Sequence, residues 1–158
     1  MRTFAVVLAI SCRGLFGADA SDEKDVIAVV QRFFDAMSAH DSAAARAVLM
    51  PEGRTVASRE TGAVSGGSQE QFAARLSTIK EPILERMWNP KVLIDRRKEG
   101  AIATLWAEYD FHREGKFSHC GVDSFSLVKT AEGWKIAGIT YTMQMTGCAP
   151  SPLGPPKM

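Results

Sequence analysis

The side chains in this sequence most suited to chemistry gather in the run His119-Cys120-Gly121-Val122-Asp123-Ser124-Phe125. In an extended strand alternate side chains share a face, so His119, Asp123, Phe125 and Leu127 project together. A carboxyl among apolar neighbours is a candidate acid or hydrogen-bond donor, because loss of water disfavours its charged form and keeps the proton on. His119 is the candidate partner for proton transfer. Asp123 and His119 are therefore the candidate catalytic residues. Phe33, Tyr109, Phe125 and Tyr141 are the candidate ligand-binding residues, the phenylalanines as apolar walls and the tyrosines as hydroxyl donors. No metal-ligand spacing, phosphate loop, dinucleotide fingerprint, CxxC or nucleophile elbow occurs, so neither a metal nor a cofactor is expected.

What faces Asp123 depends on the hairpin around Gly115-Lys116. A two-residue turn there pairs His112 with His119 and Glu108 with Asp123, gathering histidines and carboxylates as a metal site would. A three-residue turn pairs Phe111 with His119 and Ala107 with Asp123. The second register is expected, because Leu105, Tyr109 and Phe111 then join Phe125 and Leu127 on one apolar face, and a one-residue slip would expose all of them.

The elements that must position these residues can be read from periodicity. From Asp22, the residues Val26, Ile27, Val30, Phe33, Phe34 and Met37 recur at helical spacing. Asp41 can cap a second, Ala-rich helix through Ala47 and Val48, stopped by Pro51 and Gly53. Thr55-Val56-Ala57 and Gly62-Ala63-Val64 are short strand candidates. Ser68-Gln69-Glu70-Gln71 has the capping-box pattern and opens a third helix, with Phe72, Leu76 and Ile79 on one side and Pro82 beyond it. After Pro82 four runs rich in Val, Ile, Thr and aromatics predict strands over 83–94, 101–113, 117–129 and 134–145, the first interrupted by a bulge at Asn89-Pro90. Helices first and a long meander last is an α+β layout.

That order of elements, with Val29-Val30-Gln31-Arg32-Phe33 and Ala39-His40-Asp41 in the helix pair and the strings 103–111, 115–125 and Gly133-Trp134-Lys135-Ile136 in the strands, resembles the nuclear-transport-factor-2-like superfamily. The likeness is to its SnoaL-like branch, which is distantly similar to ketosteroid isomerase. The resemblance implies a cone-shaped half-barrel, a curved antiparallel sheet wrapped around three N-terminal helices and open at one end to a pocket. In the ketosteroid isomerase pattern a helix-borne Tyr, an Asp base and a protonated strand Asp act together. Here Phe33 stands at the Tyr position and Ala57 or Ser58 at the base, so only Asp123 keeps its place and steroid isomerisation by that route is not expected. Family members commonly pair, and an outer sheet face carrying Ile102 and Trp106 leads to the expectation of a homodimer.

Composition bounds the rest. The chain has 158 residues, 46% hydrophobic and 23% charged, with a formal net charge of +1, which fits one globular domain. No long basic run marks a nucleic-acid or anionic-membrane surface, and no apolar run is long enough to span a bilayer. Residues 1–20 read as a signal peptide: Arg2, the apolar run from Phe4 to Ile10, and the small-x-small site Ala18-Asp19-Ala20. The expected organisation is thus a leader over 1–20, a domain over 21–148 and a flexible Pro-rich tail over 149–158, in a secreted or periplasmic protein. In that compartment Cys120 and Cys148 can pair. Hairpin arithmetic puts Cys120 opposite Met143, so a bridge requires the chain to fold back at Gly147. The functional expectation is an exported domain binding a small apolar or carbonyl-bearing ligand in the cone. The alternatives are an isomerase, dehydratase or hydrolase-type enzyme using Asp123, and a dimeric interaction module.

Overall fold

A computed structural model describes residues 20–97 and 100–156. The expected leader, up to residue 19, and the turn residue Glu99 lie outside the described residues. Three helices and six strands follow in the order α1 (Ala20–Ser38), α2 (Ser42–Val48), β1 (Leu49–Arg59), β2 (Val64–Ser68), α3 (Gln69–Leu76), β3 (Ile83–Arg97), β4 (Gly100–Arg113), β5 (Lys116–Thr130) and β6 (Gly133–Met143). The strands form one unclosed sheet in the order β2-β1-β6-β5-β4-β3. β1 runs parallel to β6 and every other neighbour is antiparallel, so the sheet is mixed rather than purely antiparallel. This is the α+β cone of the nuclear-transport-factor-2-like fold.

The caps are those that the side chains dictate. Asp41 Oδ1 accepts from the Ala43 and Ala44 amides, each at 2.9 Å, and starts α2. Ser68 and Gln71 form the reciprocal capping box of α3. Two readings need correction. Pro51 and Gly53 do not stop the second helix; it ends at Val48 and the chain enters β1 at Leu49. Pro51 is tolerated because the β1–β6 ladder is irregular between Leu49 and Arg54, so no ladder bond is lost there. The second short strand begins at Val64 and runs on to Ser68, while Gly62, at φ 81°, belongs to the turn before it.

α1 lays Val26, Val30, Phe33, Phe34 and Met37 onto the concave face, where they meet Leu105, Phe125, Leu127 and Ile136. Phe125 is the keystone, in edge contact with Phe34 at 5.9 Å and Phe33 at 6.3 Å between centroids; each such buried ring contributes about 2–3 kcal/mol. Asp22 ties the start of α1 to the far sheet end, accepting from Lys129 Nζ at 2.6 Å and Trp134 Nε1 at 3.3 Å. The apolar packing fills the β5–β6 turn end of the cone and leaves the other end open.

The decisive hairpin takes the expected register by an unexpected route. Glu114 and Gly115, both at positive φ, make a two-residue turn that pairs Arg113 with Lys116. A bulge at Ser118 then absorbs one residue, so that Phe111 pairs with His119 and Ala107 with Asp123. Cys120 and Cys148 are bridged, with Gly147 at φ 70° turning the chain back after Gln144. Beyond the bridge, residues 149–156 lie against the convex face beside Trp88, His112 and Phe117.

Candidate functional site

Register places the inward residues of the open end in rows. Ala57, Tyr141, Asp123 and Ala107 stand side by side across β1, β6, β5 and β4. Toward the mouth, Arg59 pairs with Met143 and Tyr109 with Gly121, and then His119, Phe111 and Glu85 form a further row over β5, β4 and β3. The larger side chains of these rows other than Arg59, closed over by Phe33, Met37 and the α3 residues Phe72, Arg75 and Leu76, enclose a cavity of about 180 Å³.

Two carboxyls meet inside it. Glu85 and Asp123 stand on strands separated by β4 and four positions apart along it, so only the strong coiling of the sheet closes the diagonal. Their side chains hydrogen-bond to one another. Asp123 is 2% exposed, and among the described residues no N–H or hydroxyl donor reaches its Oδ2. Glu85 keeps partial exposure, which opens onto the cavity it lines. Burial pushes Asp123 up to about 7, against the opposing effect of the hydrogen bond from Glu85. Burial and then the Asp123 charge push Glu85 well above the carboxylate range. No cation is among the causes of either shift, so the pair behaves as two acids that cannot both ionise and that share one proton toward neutrality.

The other polar groups are held in fixed states. Tyr109 OH donates to the Thr142 carbonyl at 2.7 Å, reaching across Gly121. A Cβ on Gly121 would lie 2.1 Å from that same oxygen, so glycine is required where the two strands approach. Burial and the nearby Glu85 raise Tyr109 and Tyr141 and keep both phenols protonated. His119 stacks on Phe111 at 4.8 Å, meets Tyr109 edge-on at 5.8 Å and contacts Ser118 Oγ through Nδ1 at 3.0 Å. Burial, with the Arg113 and Arg59 charges behind it, drives His119 down to about 4, so its imidazole is neutral at pH 7.

Asp123, His119, Phe33, Tyr109, Phe125 and Tyr141 all line this one cavity. His119 sits there as a neutral ring packed among aromatics, not beside Asp123 but in another row. Glu85 and the mouth residues Arg75 and Arg113 escaped the sequence reading. The signal for Glu85 was its alternation with Ile83 and Met87, whose period-2 pattern puts all three on one face. The bulge at Asn89-Pro90 hid it, because beyond Asn89, at φ 49°, the inward parity switches to Val92 and Ile94.

A family model described as "Putative lumazine-binding" matches residues 21–142. No curated protein matches the chain. Among solved structures, a protein of unknown function with a cystatin-like fold from Nostoc punctiforme superposes with a TM-score of 0.60 at 14% identity, over 89% of this chain and 98% of that one. A nuclear-transport-factor-2-like protein of unknown function from Shewanella baltica gives 0.58 at 14% identity, over 86% and 100%. A protein from Streptomyces avermitilis described as a putative dehydratase of the nuclear-transport-factor-2-like family gives 0.56 at 16%, over 80% and 98%.

Proposed function

The chain belongs to the putative lumazine-binding family, and on that footing we propose that its cone binds a compact, largely apolar ligand and fixes it through a carbonyl, phenol or lactam edge at Glu85–Asp123. The observation that carries the reading is the proton-sharing acid pair at the wall of an otherwise aromatic cavity. The protonated member of the pair donates to a carbonyl or phenolate oxygen, and its ionised neighbour accepts from a hydroxyl or ring N–H. A lactam offers both groups on one edge. At about 180 Å³ the cavity is smaller than the ~300–1,000 Å³ of drug-sized sites, which selects a ligand of one or two rings. Calorimetric titration with 4-hydroxyacetophenone and with lumazine tests this. Binding should weaken about ten-fold or more in Glu85→Gln/Asp123→Asn, in keeping with loss of a charge-assisted hydrogen bond. Equal affinity in the folded double variant refutes the role of the pair.

A second reading is supported by the Asp123 value near 7, since a group that titrates near the working pH is suited to proton transfer. The cone then carries out a dehydratase- or isomerase-type step, with Glu85 supplying the second titratable group that Asp123 otherwise lacks. We further propose export and self-association. The disulfide favours an oxidising compartment. Leu93, Ile102 and Trp106, at 75%, 60% and 38% exposure on the convex face, form the apolar surface that a second copy would cover.

A further inference from the structure

The cone is not apolar up to its rim. Arg75, in the last turn of α3, and Arg113, at the end of β4, both line the cavity that holds the acid pair. Arg59 shares the inner face of β1 with Thr55 and Ala57 and stands two residues mouthward of the Ala57–Tyr141–Asp123 row, about 7 Å at ~3.3 Å per residue. Arg75 and Arg113 thus bring guanidinium groups from two separate elements to one opening, with Arg59 on a third near enough to act on His119 and Tyr141, while both carboxyls of the cavity wall lie inside it. Arg113 is paired with Glu81 at 3.1 Å and Arg59 donates to Ser65 Oγ at 2.8 Å. The Arg75 guanidinium has no hydrogen bond or ion pair among the described residues. These charges look inward as well as outward: Arg113 and Arg59 act on His119, and Arg59 and Arg75 on Tyr141.

We propose that the ligand is an organic acid, whose carboxylate seats on Arg75 at the mouth, with Arg113 and Arg59 beside it, while its carbonyl or hydroxyl end reaches Glu85–Asp123. The inference rests on the binding function proposed above and adds the substrate class. A guanidinium fork matches a carboxylate in two parallel hydrogen bonds, and an unpartnered one at the rim of a low-dielectric cavity gives that match its greatest effect. The two ends also sort the ligand by direction. A carboxylate driven down to the acid pair would face like charge and lose its water, whereas at the rim it keeps both water and arginine. Hydroxy or keto acids of one ring, with the two polar groups at opposite ends, satisfy both.

The experiment compares 4-hydroxybenzoate, 4-hydroxyphenylacetate and 4-hydroxycinnamate, a series of increasing reach, each against its methyl ester. Titrations of the full chain are run at low and moderate salt. At least one acid should bind about ten-fold tighter than its ester, with the advantage shrinking as salt rises. Arg75→Gln should weaken the acid far more than the ester and so abolish that advantage, and Arg75→Lys should restore part of it. Glu85→Gln/Asp123→Asn should weaken acid and ester together. If the esters bind as well as the acids, or if the preference survives Arg75→Gln, the acid assignment is overturned while the binding function stands. If neither acids nor esters bind the wild-type protein, the binding function itself fails and the assignment falls with it.

Discussion

Replacing the buried acid pair by amides, as Glu85→Gln/Asp123→Asn, should remove a pH dependence of stability whose sign and size follow from the site. Asp123 titrates at about 7 in the folded protein against 3.8 for the free side chain. Between those values the folded state keeps a proton that the unfolded chain has released, so stability falls as pH rises through the window. At about 1.36 kcal/mol per unit, Asp123 alone costs roughly 2–3 kcal/mol between about pH 5 and 8. Glu85, raised well beyond its ordinary 4.5, adds a loss of the same sign. The assay is urea unfolding of the disulfide-intact protein at intervals across that range, wild type against double variant, so that every other titrating group cancels in the difference. The variant should gain at least about 2 kcal/mol on the wild type from the acid to the alkaline end. A difference that stays flat to within about 0.5 kcal/mol refutes the desolvation argument, and one of opposite sign means that the carboxylates are stabilised as anions.

Three further outcomes are expected. Gly121→Ala should cost about 2–3 kcal/mol in urea unfolding and disturb the Tyr109 signal in near-ultraviolet circular dichroism, because the new methyl overlaps the Thr142 carbonyl that Tyr109 uses; an unchanged midpoint contradicts the close approach. The Cys120–Cys148 bridge spans 28 residues, and the chain-entropy argument assigns it about 3–4 kcal/mol; thiol titration of the unfolded, unreduced full chain should find only the Cys12 thiol free, and reduction should lower the unfolding midpoint. Light scattering should give twice the 17.2 kDa chain mass for the full chain, and Ile102→Asp, which puts a charge on the exposed convex face, should yield the monomer without loss of fold; a wild-type monomer refutes the association.

Most of the architecture was legible because the elements announce themselves locally. Asp41 and Ser68 are caps whose side chains act within three residues, and the α1 stripe from Val26 to Met37 needs no knowledge of its partner to be seen as a buried face. The parallel β1–β6 pairing was not legible. It joins residues about eighty positions apart, and nothing in Thr55-Val56-Ala57 states which strand edge will accept it. Pro51 was read as a stop because the rule against proline in a ladder is local, whereas the irregularity that excuses it is a property of the partner strand.

The candidate site was legible to the extent that parity could be followed along a strand. His119, Asp123 and Phe125 were placed on one face by alternation alone, and Phe111 and Ala107 were set opposite them by asking which register buries the most apolar surface. That argument chose the correct pairing while missing its cause, a tight turn at Glu114-Gly115 followed by a bulge at Ser118, because burial fixes the sum of the offsets and not how the chain distributes them. Glu85 lies where alternation along a strand breaks down. On its own strand it alternates correctly with Ile83 and Met87, but a bulge reverses parity before Val92. A pattern averaged over the whole strand therefore assigns it to neither face. Its chemistry depends further on the coil of the sheet, which brings it to Asp123 across an intervening strand. A carboxyl in phase with apolar neighbours on one side of a bulge is thus the feature to seek in such strands. Its burial is evident before its partner is, and a buried acid requires a partner, a ligand or a proton.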